Sequence, residues 1–374
     1  MEHFDFATAR RVLFGRGRFA EAPALAASLG RNVLVIHGAS ARHVGSFLAG
    51  AETLALTVSC HACPAEPDLA ILSDALEAAR AADADVVVAI GGGAAMDLAK
   101  AAAGLMPARR DPLDHLEVVG RGLPLEHAPL PCLAVPTTAG TGAEVTRNAV
   151  IGVPQHERKV SLRDPRLVPD IALVDPALTD NAPRDVTLGS GLDAITQVIE
   201  PYLSSRATPL TDAICRAAIA RGLGALARLT EDEDTSARDE MAFVSLSGGI
   251  ALSNAGLGAV HGLAGVIGGM VPGAPHGAVC GALLPHVLAA NRAAAGGAAI
   301  GRFDEVEQAI EQALGTPDLA GWAAAKGLPG LDRMGVAAEL YPAVVEWSQS
   351  SSSMKANPVE LTNEVLLNVL RAAA

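Results

Sequence analysis

The sequence predicts an α/β N-terminal half built on a parallel sheet, followed by an all-helical C-terminal half, and three observations predict it. Short β-branched runs alternate with Ala-rich stretches up to about residue 175, as in strand-helix-strand units. From Pro176 onward those runs vanish, and Ala/Leu periodicity dominates to Ala374. Pro176, Asn181 and Pro183 interrupt the chain between the two patterns, so domains over residues 1–178 and 179–374 are expected.

The elements follow in order. Asn32 to Ile36 reads as a strand ending at His37-Gly38, and Leu54 to Ser59 as a second. Ala65 to Ala84 reads as a helix, with Pro67 and Asp68 at its start and Leu69, Leu72, Leu76 and Ala79 at three- and four-residue steps. Asp85 to Ile90 is a buried strand, Gly91-Gly92-Gly93 follows, and Ala94 to Leu105 is the next helix. Pro129 to Val135 is another buried strand, opening into the polar loop Pro136 to Glu144. Val160 to Asp175 holds further extended candidates, among them Ile171 to Val174. Ala293 to Ala299 and Ser348 to Ser353 are compositionally biased and expected at the surface.

Composition excludes several functions. The 374 residues are 50% hydrophobic and 18% charged, which rules out a largely disordered chain. A net charge of -13 and 3% aromatics exclude nucleic acid as a partner, because phosphate backbones require a basic face and single strands require stacking rings. The opening residues carry Glu2 and Asp5 and no apolar core of signal-peptide type, and no apolar run approaches the roughly 20 residues that span a bilayer. A cytoplasmic protein without a membrane segment is expected. The five cysteines, Cys60, Cys63, Cys132, Cys215 and Cys280, suit reduced thiols. Cys60-His61-Ala62-Cys63 has the spacing of a zinc or redox pair, but no second pair stands at finger spacing and Pro64 follows at once.

Three features can carry chemistry. Gly91 to Gly93 sits between a buried strand and a helix, where its amides can face a phosphate; a tight turn explains the glycines equally well. Asp97 and Lys100 lie on the next helical turn. The loop Pro136 to Glu144 offers Thr137, Thr138 and Thr141 beside Gly140 and Gly142. Such small donors suit a nucleotide crevice, and a threonine can also simply cap a helix. Asp193 and Gln197, four apart, share a helix face, and His261 and His276 lie farther on. One carboxylate and two imidazoles suit a divalent metal, while a helix cap and hydrogen-bonded core histidines remain the structural alternative.

The strings GGGAAMDLAK (Gly91 to Lys100), PTTAGTGAEVT (Pro136 to Thr146), DPALT (Asp175 to Thr179), GLDAITQVIEPYLS (Gly191 to Ser204) and the block from Asn254 to Val287 resemble the iron-containing alcohol dehydrogenase family, which includes the maleylacetate reductases. NPVELT (Asn357 to Thr362) resembles the C-terminal signature of that family. The resemblance implies a Rossmann-like dinucleotide-binding domain, an all-α second domain of dehydroquinate synthase-like type, and a cleft in which hydride passes between nicotinamide and an alcohol or carbonyl carbon. It also implies that Gly92 and Gly93 hold the pyrophosphate, that Thr137, Thr138 and Thr146 contact the cofactor, that Lys159 lies near the nicotinamide ribose, and that Leu178 packs near the cofactor.

The implied metal site departs from the family pattern. Asp193, His261 and His276 match, but the second ligand position is Gln197, a family histidine four residues after His261 is Gly265, and the PHG string comes one residue late. Glutamine offers a neutral oxygen, a poorer donor to Fe²⁺ or Zn²⁺ than imidazole. Fe²⁺ or Zn²⁺ affinity should fall, and a site without tightly held catalytic metal is therefore expected, with His261 or His276 serving as proton donor and electrophile for the carbonyl.

Cofactor choice rests on the end of the first strand. His37 to Arg42 contains no acid to hold a ribose 2′-hydroxyl, while Ser40 and Arg42 suit a 2′-phosphate, which with Gly38 at the strand end favours NADP(H) over NAD(H). The expected activity is an NAD(P)-dependent oxidoreductase acting on a small aldehyde, ketone or oxo-acid or the matching alcohol. One alternative is a maleylacetate reductase, for which Arg147, Arg163 and His286 are candidate cations. Another is a non-catalytic nucleotide-binding scaffold. A homodimer is compatible with the apolar helical half.

Overall fold

The computed structural model describes residues 3–297 and 299–374. Met1 and Glu2, which belong to the expected first domain, and Ala298, in the 293–299 tract, lie outside the described residues. Chain packing gives two compact units. One is Thr8–Thr138 with Gly142–Thr179, and the other is the segment ending at Ala7, Ala139–Thr141 and Asp180–Ala374.

The first unit runs β1 (Arg11–Phe14), α1 (Ala22–Ala27), β2 (Asn32–Gly38), α2 (Val44–Thr53), β3 (Thr57–Cys63), α3 (Leu69–Ala81), β4 (Val86–Gly91), α4 (Gly93–Leu105), α5 (Pro112–His115), β5 (Cys132–Pro136), β6 (Asn148–Val153), β7 (Arg158–Arg163) and β8 (Ile171–Val174). Its main sheet has the order β1-β8-β5-β4-β2-β3, and every pairing in it is parallel. Strands β6 and β7 form a separate antiparallel pair. Alternate residues of the central strands feed two cores. Leu34, Ile36, Val87 and Ala89 pack with α3 and α4, while Val33, Val35, Val86 and Val88 pack with α1 and α2. Burial on both faces explains why these strands read as continuous apolar runs.

The chain leaves β2 for the edge strand β3 and returns to β4 on the other side of β2. The direction of winding thus reverses between β2 and β4, and their carboxyl ends, Gly38 and Gly91, flank the switch point where ligands bind in open α/β sheets. Two expected boundaries shift. Leu54 closes α2, so the second strand begins at Thr57, and α3 begins at Leu69 because the Asp68 carboxylate caps it, accepting from the Ile71 amide at 2.9 Å. Cys60 is exposed and Cys63 buried, as an odd spacing on a strand requires, so the two thiols face opposite sides.

The second unit contains α6 (Arg184–Leu203), α7 (Pro209–Leu229), α8 (Thr235–Ala255), α9 (Ala259–Met270), α10 (His276–Ala294), α11 (Ala299–Leu314), α12 (Leu319–Ala325), α13 (Tyr341–Ser348) and α14 (Asn363–Ala372), with no strand among the described residues. Helix α6 is buried on all sides from Leu188 to Leu203 apart from Ser190, and packs against α7, α8 and α10. Burial of Leu192, Ile195, Val198 and Ile199 contributes roughly 1.5–3 kcal/mol each before conformational entropy is subtracted. Helices α6 and α10 meet backbone to backbone: a Cβ on Gly277 would lie 2.4 Å from the Gly189 carbonyl oxygen and 3.2 Å from Asp193 Cβ. Glycine at 277 thereby brings the start of α10 onto the acidic turn of α6. No single helix among the described residues is long and apolar enough to cross a membrane.

Candidate functional site

The α/β unit brings its glycine and threonine loops together. A Cβ on Gly91 would lie 2.9 Å from the Gly38 amide nitrogen and 2.6 Å from Ala95 Cβ, so the ends of β2 and β4 approach as closely as glycine allows. Thr137 donates its amide to the Gly91 carbonyl at 2.9 Å, and a Cβ on Gly92 would touch the Thr138 side chain at 3.2 Å. Gly92 precedes Gly93, the first residue of α4, and no side chain caps this helix. Glycine backbone at the ends of β2 and β4, at the start of a helix and beside the Thr138 side chain, has the chemistry of a pyrophosphate cradle.

Other predicted cofactor residues serve the loops or stand apart. The Asp97 carboxylate accepts from the Val150 amide at 3.1 Å and pairs with Lys100 at 3.0 Å, tying α4 to β6. Buried Lys100 donates to Thr146 Oγ1 at 2.8 Å and to the Ala143 carbonyl at 3.0 Å, which fixes the end of the threonine loop. Lys159 lies 3.6 Å from Glu66, Leu178 is buried, and Thr141 belongs to the segment counted with the helical unit. Ser40 is exposed beyond β2, and its hydroxyl accepts from the Arg42 amide at 3.3 Å. Among the cations considered for a dicarboxylate, Arg163 pairs with Glu117 at 3.0 Å. Arg147 immediately precedes β6, and His286 lies near the middle of α10, roughly 15 Å along the axis from His276.

In the helical unit, Asp193 from α6, His261 from the first turn of α9 and His276 from the first turn of α10 converge. His261 Nε2 is 3.3 Å and His276 Nε2 4.0 Å from Asp193 Oδ1. The Cys280 thiol joins them, 3.6 Å from His276 Nε2, and the four donor atoms all lie within 4.8 Å of one another. Gln197 is buried and its amide nitrogen donates to the Gly140 carbonyl at 2.9 Å. At Gly265, space is open where a Cβ would stand.

Two functional side chains escaped the sequence reading. Glu200 grips the start of α9: Oε2 lies 2.6 Å from His261 Nδ1 and Oε1 accepts from the Val260 amide at 2.7 Å. Its signal was the spacing Asp193 to Glu200, seven residues or about two turns of one helix face. Cys280 is one of five thiols scattered along the sequence, and its signal is the four-residue spacing from His276, which puts both side chains on one helix face.

The electrostatics of the cluster are those of a cation site. Burial pushes the Asp193 carboxyl up, but a hydrogen bond from His261 and the two imidazole charges outweigh it and hold it below the ordinary aspartate value. Burial opposes a charge on His261, yet Cys280, Glu200 and Asp193 raise it well above the ordinary imidazole value. His276 is pushed up to about 9, chiefly by Cys280. The Cys280 thiol is raised by burial and lowered further by His276 and His261, for a net decrease. With metal-ligand bonds of about 2.0–2.3 Å, tetrahedral edges come to about 3.3–3.8 Å. The observed 3.3 and 3.6 Å fall within that range and the 4.0 Å between His276 and Asp193 lies just above it, so a small inward shift of His276 would let this donor set hold a divalent transition metal.

Comparison with known proteins places the chain in a family. The model for iron-containing alcohol dehydrogenase matches residues 9–176, and the model for the C-terminal part of the Fe-containing alcohol dehydrogenase family matches residues 187–374. A 4-hydroxybutyrate dehydrogenase of Cupriavidus necator is 34% identical over 310 residues, 79% of this chain and 80% of that protein. The crystal structure of a 1,3-propanediol oxidoreductase superposes with a TM-score of 0.88 at 26% identity, covering 100% of both chains. That of sulfoacetaldehyde reductase from Bifidobacterium kashiwanohense in complex with NAD+ does so with a TM-score of 0.85 at 27% identity, covering 100% of this chain and 99% of the other. The chain thus belongs to the iron-containing alcohol dehydrogenase family, and is an oxidoreductase that transfers hydride between a nicotinamide cofactor and an alcohol or carbonyl carbon.

Proposed function

We propose that the chain interconverts a short aldehyde, ketone or oxo-acid and the matching alcohol, with NADP(H) as the hydride carrier and Asp193, His261 and His276 as the centre that engages the substrate oxygen. The observation that carries this reading is the convergence of those three side chains from three helices on one point. Two similar proteins are named for 4-hydroxybutyrate and 1,3-propanediol, short alcohols with a second oxygen function, and we extend that substrate class to this chain.

Asp193, His261 and His276 would hold a divalent metal, which would supply Lewis acidity toward the substrate oxygen, and a bound nicotinamide would supply the hydride chemistry. The remaining work falls to this chain's own groups. Glu200 fixes the His261 ring through Nδ1, which turns Nε2 toward Asp193. His276 is 32% exposed against 8% for His261, and is assigned the substrate-facing position. The Gly91 to Gly93 amides bind the pyrophosphate, Gly38, Thr137 and Thr138 shape its hollow, and Lys159 and Leu178 contact the nicotinamide end. Asp97 and Thr146 hold the two loops, and Thr141 extends the second.

The preference for NADP(H) is supported by charge. Residues 37–42 contain no carboxylate to repel a 2′-phosphate, and Ser40 and Arg42 are exposed just past the end of β2. All five cysteines are free thiols, which supports a reducing cytosol.

The test is NADPH and NADH oxidation with a panel of short aldehydes and oxo-acids, with metal content measured on the same preparation. Turnover that chelation removes and a divalent metal restores supports the reading. Cofactor binding without turnover across the panel, in metal-replete protein, rejects it in favour of a binding scaffold.

A further inference from the structure

Cys280 follows His276 by one helical turn on α10, so the two side chains share a face. Its sulfur is buried, 3.6 Å from His276 Nε2 and within 4.8 Å of the donor atoms of Asp193 and His261. Gln197 is held differently. Its amide nitrogen is bound to the Gly140 carbonyl, and α8 presses on it so closely that a Cβ on Gly248 would lie 3.0 Å from Gln197 Cβ. A thiolate is a strong donor to a borderline-soft metal, whereas a neutral amide oxygen is a weak one.

We propose that Cys280, rather than Gln197, supplies the fourth protein donor, making an Asp193-His261-His276-Cys280 site for a thiophilic divalent metal of the zinc type. The proposal rests on the reading that this cluster holds the metal. A carboxylate, a thiolate and two neutral imidazoles carry two negative charges between them, which balance the charge of such a cation. The thiol also restores the donor count that Gln197 lowers, so the binding set is complete without a histidine at that position.

The experiment uses the full chain loaded with Zn²⁺ or Co²⁺. The cobalt form is expected to show a thiolate-to-metal charge-transfer band in the near ultraviolet, and X-ray absorption of the zinc form a sulfur neighbour at about 2.3 Å, distinct from nitrogen or oxygen at about 2.0–2.2 Å. Cys280→Ser and Cys280→Ala should abolish both signals and weaken Zn²⁺ binding by more than the roughly 10–100-fold that follows loss of an outer-shell partner. They should still bind NADPH, by fluorescence titration. Cys60→Ser, which alters an exposed thiol, should leave the sulfur signals intact. Bound metal without a sulfur neighbour in the wild-type protein overturns the role of Cys280 and leaves the rest of the metal reading standing. Failure to bind either metal overturns both. The wild-type spectra decide this even if neither Cys280 variant folds.

Discussion

Glu200 and His261 form a 2.6 Å contact between Oε2 and Nδ1, while the other oxygen of the same carboxylate accepts the Val260 amide. One side chain therefore both anchors the start of α9 and sets the orientation of the imidazole. Glu200→Gln keeps the shape and removes the charge. Metal affinity is expected to fall by about 10–100-fold, with NADPH binding retained. Equal Zn²⁺ dissociation constants for the variant and the parent in a chelator competition would exclude an orienting role for Glu200.

The contact of α10 with α6 makes a second prediction. In Gly277→Ala, the new methyl meets the Gly189 carbonyl at 2.4 Å, a backbone atom that cannot turn aside. The helices must separate, at a cost of about 1–3 kcal/mol, carrying His276 away from Asp193. Urea unfolding and a Zn²⁺ titration should both register the change. A variant with parental stability and metal affinity would show that the crossing is looser than described.

Glu144 gives a pH dependence. Burial pushes its carboxyl from an ordinary 4.5 up to about 7, only partly offset by a backbone hydrogen bond and Lys100. A carboxyl raised in the folded state binds its proton more tightly there than in the unfolded chain. Its stabilising contribution is therefore complete below about pH 4.5 and is lost as pH rises through about 7. The gap corresponds to about 3 kcal/mol at alkaline pH. Glu144→Gln should raise stability relative to the parent far more at pH ~8 than at pH ~5. Urea midpoints that differ equally at the two values would contradict a buried, neutral Glu144.

Arg42 governs the fourth prediction. A charge-assisted hydrogen bond to a 2′-phosphate is worth about 1.5–3 kcal/mol, so Arg42→Asp should weaken NADPH by about 10–100-fold and spare or improve NADH. Parallel titrations of both cofactors test it. A parent that already prefers NADH rejects the assignment of Ser40 and Arg42.

How much of this was legible in the sequence depends on how local the signal is. The strand at Ile171–Val174 and the strand-glycine-helix junction at Gly91 announce themselves through neighbouring residues alone. Strand β1 does not, because three of its four residues are exposed and only its pairing with β8 makes it a strand. The β6-β7 pair likewise carries mixed burial. At the site, Asp193, His261 and His276 stood out through motifs, whereas Glu200 and Cys280 acquire meaning only once α6, α9 and α10 cross. The commitments of Asp97 and Thr146 to Val150 and Lys100 were equally invisible, being contacts between distant segments.

The helices that meet at the donor cluster begin at residues 184, 259 and 276, far apart along the chain, yet four atoms on them fall within 4.8 Å. An ion seated there ties α6, α9 and α10 as a rivet ties plates. Its binding energy adds to the resistance of the whole bundle to melting, in proportion to the logarithm of free metal over its dissociation constant. Heat tolerance of this enzyme should accordingly track the metal supply of its surroundings.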